Sequence, residues 1–134
     1  MPPIDEPTFS LLVLAARICL ATVFLVSGIH KALWLSRAIE EFKVASVPLI
    51  SVTLPATIAL HIVASVCILA GVFIAEAALS LAVFTVAATL WVFPFWRHSG
   101  AERLDQSRIA LANLGLAGGL LLLYAGGPGH YVLT

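Results

Sequence analysis

Six polar residues are candidates for chemistry in this chain: Arg17, His61, Thr22, Thr89, Asn113 and Glu76. Arg17 is a permanent cation that can hold an anionic group, a carbonyl or a partner carboxylate such as Glu76. The neutral imidazole of His61 both donates and accepts hydrogen bonds and titrates near neutral pH, which suits a proton relay or the oxygen of a quinone headgroup. Thr22, Thr89 and Asn113 add donors and acceptors. What singles them out is their setting, inside long apolar runs. At 1.5 Å per residue, Arg17 lies roughly 12 Å in from Phe9 and His61 roughly 19 Å in from Ile74. Thr22, Thr89 and Asn113 come out near the depth of His61.

Those runs are the elements that must position the polar groups. The chain has 134 residues, 61% hydrophobic and 10% charged, with no net charge, and its mean hydropathy is +1.08. A soluble domain carries about 25% charged residues. Too few polar side chains remain here to face water, which excludes a soluble globule, a disordered tail and a basic nucleic-acid binder. Four stretches approach the ~20 apolar residues that a membrane helix needs: 9–29, 55–74, 77–95 and 109–125. They are continuous and far exceed the length of a barrel strand, so the expected fold is all-α, a four-helix polytopic membrane bundle forming one domain over 1–134. Met1–Thr8 carries Asp5 and Glu6 and no Lys or Arg, the wrong charge for a cleaved leader.

Charge sets the expected orientation. Lys31, Arg37 and Lys43 lie between spans one and two, and Arg97, Arg103 and Arg108 between spans three and four. The other connections have no basic residue, so loops 30–54 and 96–108 should be cytoplasmic and both termini should face away. Between spans one and two, Ser36–Val47 sets Ile39, Phe42 and Val47 against Arg37, Glu40, Glu41 and Lys43, the pattern of an amphipathic helix on the membrane surface. Pro48 should end it and Pro55 should open the second span.

Helix faces sort the polar residues further. Arg17 shares a face with Ala21, Phe24, Gly28 and Lys31. Two readings stand for it: the side chain snorkels to the outer headgroups, or it points into the bundle and is compensated there. In span two Thr57, His61, Ala64, Ser65 and Ile68 form one small or polar stripe, and in span three Ala78, Ala82, Thr85 and Thr89 form another; both should turn inward. Thr22 sits about 140° around its helix from Arg17, so the two cannot face one axis. The polar layer reads either as hydrogen bonding that fixes packing or as a quinone or proton site using His61. Haem ligation ranks below both, because no second histidine shares its depth.

Gly115 and Gly119, with Gly118 beside them, permit close helix approach, either inside the bundle or to a second copy through span four. Cys19 and Cys67 are isolated on separate spans and read as reduced packing residues. The sequence holds no phosphate-binding glycine loop, zinc motif or Ser-His-Asp set, and no metal site is expected.

Three segments resemble the DoxX family of small four-helix membrane proteins. Arg17 followed by Phe24-Leu25-Val26-Ser27-Gly28-Ile29-His30-Lys31 is similar to that family's R…F-L-x-S-G-x-x-K. Phe93-Pro94-Phe95-Trp96 is similar to its x-P-F-W. Asn113-Leu114-Gly115-Leu116-Ala117-Gly118-Gly119, running into Gly127-Pro128-Gly129, is similar to its N-L-x-L-x-G-G…G-P-G ending. The resemblance implies a multi-pass protein of a bacterial or archaeal cell (inner or plasma) membrane, linked to quinone-dependent oxidoreductases. His61 stands where many relatives carry Glu, and Ala64-Ser65 replaces a Gly-Gly.

Three functions follow, in order. The first is an accessory subunit of a membrane redox system, with a quinone held non-covalently near Arg17 and His61 and electrons supplied by a partner oxidoreductase complex, so the chain is not expected to be an enzyme in isolation. The second is a non-catalytic anchor or assembly subunit. A small transporter or channel ranks last, because the loops are short and no span is broken at mid-membrane.

Overall fold

The computed structural model describes residues 5–132. Residues 1–4 of the acidic arm, and 133–134, lie outside them. Five α-helices follow in order: α1 (Glu6–Leu33), α2 (Leu35–Val44), α3 (Ile50–Ala70), α4 (Ile74–Val92) and α5 (Gly100–Gly126). Four of these are long and apolar enough to cross a membrane. Among the described residues there is no strand.

The chain runs up and down. We call the end that carries the arm, the α3–α4 hairpin and the tail the terminal end, and the end that carries α2 and the α4–α5 connection the basic end. Helix α1 packs along α3 and α4 along α5; the pairs meet across α3–α4 and more sparsely across α1–α5. The centre is built from small and branched residues. Ala21, Ile68, Ala78, Leu81 and Leu120 are wholly excluded from the surface. The outside is apolar instead, with Leu122, Leu111, Leu114, Val83 and Val63 all more than half exposed. A chain that buries Arg17, His61, Ser65 and Thr85 while leaving many leucines and valines exposed is built for lipid, where helices gain nothing by hiding apolar surface from one another. Trp34, Trp91 and Trp96 are exposed at the basic end and Tyr124 and Tyr131 at the other, where amphipathic rings suit the two interfaces.

Several boundaries depart from expectation, each for a local reason. Pro55 does not open the second span. Helix α3 starts at Ile50, after Leu49 turns the chain at φ 51°, and Pro55 lies inside it. Gly71 (φ 80°) ends α3 before Ile74, its N–H donating to the Cys67 carbonyl at 2.9 Å. Helix α4 then begins at Ile74 and stops at Val92, because Pro94 biases the residue before it out of helical geometry; Phe95–Arg97 form a separate 3-10 turn. Helix α5 starts at Gly100, so Glu102, Arg103, Asp105 and Arg108 extend it past the apolar run. The surface helix α2 ends at Val44 rather than Val47. Cys19 faces outward and Cys67 is half-buried; both are free thiols.

Candidate functional site

Helical spacing delivers the inward faces. The buried residues of α1 are Ser10, Arg17, Ala21, Phe24 and Gly28, one stripe. Those of α3 are Leu54, Thr57, His61, Ala64, Ser65 and Ile68. The two stripes meet closely at Gly28, where an added Cβ would stand 2.9 Å from Ile62 Cγ1 and 3.0 Å from His61 Cβ. Only glycine lets α1 approach α3 this far.

Arg17 points into the bundle and is fully buried. Its guanidinium donates from Nε to the Ile68 carbonyl (2.9 Å) and from Nη2 to the Leu69 carbonyl (3.1 Å). From Nη1 it donates to the carbonyls of Tyr131 (2.5 Å) and Pro128 (3.2 Å). Ile68 and Leu69 lie in the last turn of α3, whose carbonyls lack intrahelical partners and carry the negative end of the helix dipole. Arg17 therefore caps α3 from a neighbouring helix and clasps the tail that follows α5. Glu76 takes no part: it is exposed beside α4's first turn, along a shallow groove with Cys67 and Ser80. The tail is further fixed by its His130 N–H donating to Ser10 Oγ (3.2 Å), by Ser10 Oγ–H donating to Glu6 Oε1 (3.0 Å), and by His130 Nε2 lying 3.2 Å from the same carboxylate oxygen. Gly71 adapts to this tail, since an added Cβ would stand 2.5 Å from Val132 Cα.

His61 lies nearer the basic end, in different surroundings. Its ring is packed edge-on between Phe24 (centroids 5.5 Å apart) and Phe84 (5.1 Å). It is 6% exposed, and neither Nδ1 nor Nε2 has a hydrogen-bond partner among the described residues; the Thr85 hydroxyl is in the same position. Buried polar atoms are almost always paired, so three unpartnered atoms at one place, among the described residues, set this region apart from the rest of the core. They line a cavity of about 320 Å³ shared by all five helices, which reaches the basic end at Lys31, Glu41 and Phe42. Asn113 and Thr89 are also on its wall, with Asn113 Nδ2 donating to Thr89 Oγ1 at 3.0 Å and Thr89 Oγ1–H to the Thr85 carbonyl at 2.6 Å. Lys31 Nζ donates to Ser27 Oγ at 2.7 Å.

The six candidate residues thus divide. His61, Thr89 and Asn113 come together on one cavity. Arg17 does not line it, and its donors are committed to carbonyls. Thr22 is exposed to the lipid side, donating to the Ile18 carbonyl at 2.7 Å, and Glu76 is equally remote. Sequence reasoning did not place Lys31, Glu41, Phe24 and Phe84 at the site. For Lys31 the signal was present, because it shares the inward face with Phe24 and Gly28. Of the glycines, Gly119 lies close to Leu20, where an added Cβ would stand 3.3 Å from Cδ2, whereas a Cβ added at Gly115 or Gly118 would meet nothing within 4 Å.

A bundle of four membrane-length apolar helices, with a buried cationic clasp at one end and an internal cavity toward the other, has the architecture of a small polytopic membrane protein. The chain belongs to the DoxX family, whose model matches residues 12–94. That stretch covers Arg17 and His61 and stops short of Asn113 and the tail. Neither a curated protein nor a solved structure matches the chain.

Proposed function

We propose that this protein is an accessory membrane subunit of a quinone-linked redox system, and that the His61 cavity holds the quinone headgroup. The observation that carries this reading is the buried imidazole with both nitrogens unpartnered on a cavity wall. The fit is favourable in kind and in size. Small-molecule pockets run from about 300 to 1,000 Å³ and are apolar with a few polar groups. Phe24 and Phe84 offer ring surfaces, while His61 and Thr85 offer hydrogen bonds to the ring oxygens. When bound, the quinone supplies two-electron, two-proton redox chemistry, with electrons from a partner oxidoreductase. His61 then holds or moves a proton at one ring nitrogen, and Thr85 donates to a second oxygen. Arg17 acts at a distance from this, by keeping α3 and the tail in place.

Six basic residues at one end and none in the other connections support an orientation with α2 and the α4–α5 connection in the cytoplasm, at a cell membrane. A second reading, an anchor for a larger complex or a second copy, is favoured by the open outward faces of Gly115 and Gly118. The test is quinone binding to the purified chain in lipid nanodiscs. His61→Leu should abolish saturable binding while the bundle stays folded. Equal binding by wild type and variant would overturn the headgroup site; recovery of a stoichiometric partner without quinone would favour the anchor.

A further inference from the structure

The cavity has a second compartment beside it. Between α4 and α5, on the lipid side, lies an apolar groove of about 400 Å³ walled by Val86, Leu90, Ala110, Leu111 and Leu114. The two spaces share Thr89 and Asn113 as lining residues, and the Asn113–Thr89 hydrogen bond stands at the boundary between them, which we call the sill. On the cavity side of that sill are the unpartnered His61 and Thr85 polar atoms; beyond it the lining is mostly aliphatic, with Phe95 and Ser107 at its edge, and Leu111 and Leu114 are 68% and 64% exposed. An inner space with a few polar groups, adjoining a more apolar outer one, matches a molecule with a hydrogen-bonding head and a hydrocarbon chain. We infer that the ligand of the His61 cavity is such an amphiphile, and that its chain leaves the bundle over the Asn113–Thr89 sill and lies in the α4–α5 groove. This rests on the headgroup reading of the cavity.

Lipid tails are as apolar as leucine, so the chain gains little by exchanging bilayer for groove. The groove acts as a doorway: blocking it excludes a ligand that has a chain and spares one that has none. The experiment uses the full protein in phosphatidylcholine nanodiscs and calorimetric titration with two probes, a dimethoxy-methyl-benzoquinone without a chain and the same ring bearing a ten-carbon chain. Leu114→Trp fills the groove at a lipid-exposed position that the fold does not depend on, and Ala110→Phe fills it from deeper. Val63→Trp, on the outer face of α3 and 61% exposed, is the control. Partition into the bilayer is common to all variants and cancels.

The expected result is that Leu114→Trp weakens the chain-bearing probe by about tenfold or more, leaves the chainless probe unchanged, and that Val63→Trp affects neither. If the chainless probe binds in a His61-dependent way and groove filling weakens both probes equally or neither, the doorway is wrong and the headgroup site stands. If neither probe binds the wild-type protein, the headgroup reading falls and the doorway with it.

Discussion

The two ends of this bundle treat a buried polar side chain in opposite ways. Near the terminal end, Arg17 is wholly enclosed and donates to four carbonyls, two from α3 and two from the tail. Toward the basic end, His61 is nearly as enclosed and has no partner for either nitrogen among the described residues. Position in the membrane does not explain the contrast, since both residues sit well inside a span. The difference is what surrounds them: the carbonyls of the α3 end and of the tail converge on Arg17, whereas the rings of Phe24 and Phe84 flank His61 beside a cavity. Arg17 has its hydrogen-bonding capacity committed within the fold, and His61 has its capacity open toward a cavity. Depth in the membrane alone does not separate these cases.

The comparison can be broken by substitutions of the same kind at the two ends. Arg17→Leu should have the largest effect. It orphans carbonyls of α3 and the tail at about 1–3 kcal/mol each, so we expect a loss of at least about 3 kcal/mol in thermal or denaturant unfolding and protease access to Gly127–Val132. Arg17→Lys should recover part of this, because a point charge cannot reproduce the fork. Stability equal to wild type in Arg17→Leu would show that the clasp is not structural. Next comes Gly71→Ala, which combines φ 80° with a Cβ 2.5 Å from Val132 Cα; strain of about 1–3 kcal/mol is expected, read as a lowered melting temperature with the tail loosened. His61→Leu should go the other way. Replacing unsatisfied polar atoms by apolar ones is neutral or stabilising by about 1 kcal/mol, even as quinone binding is lost. A large destabilisation there would mean that His61 is packing and not site. Thr22→Val should do least, within about 0.5 kcal/mol, because its hydroxyl bonds only its own helix on the lipid side.

Much of this arrangement is legible in the sequence where periodicity carries it. The stripe Thr57, His61, Ala64, Ser65, Ile68 is the buried face of α3, and Arg17, Ala21, Phe24, Gly28 that of α1. The 140° between Arg17 and Thr22 already separates the residue that turns in from the one that turns out. What is not legible is the partner of Arg17. Its acceptors are backbone carbonyls, which every residue carries, so no residue type announces them. The tail that supplies two of them has no periodic pattern. Helix ends are not legible where a proline suggests a start, because Pro55 is accommodated inside α3 while Leu49 turns the chain earlier. The cavity itself depends on α1 and α5 touching sparsely, a property of packing that single faces do not reveal.

The clasp also orders events during synthesis. Arg17 is separated from Pro128 and Tyr131 by 111 and 114 residues, so the first helix enters the bilayer long before half of its hydrogen-bond acceptors exist. An uncompensated arginine at mid-span costs about 2.5–3.5 kcal/mol on insertion scales. The α1–α3 and α4–α5 pairs can assemble without the tail, but the clasp closes only after Pro128–Tyr131 has been made. Arg17 therefore ties the first span to a segment made more than a hundred residues later: until Pro128 and Tyr131 are in place, its Nη1 lacks both of the carbonyls to which it donates.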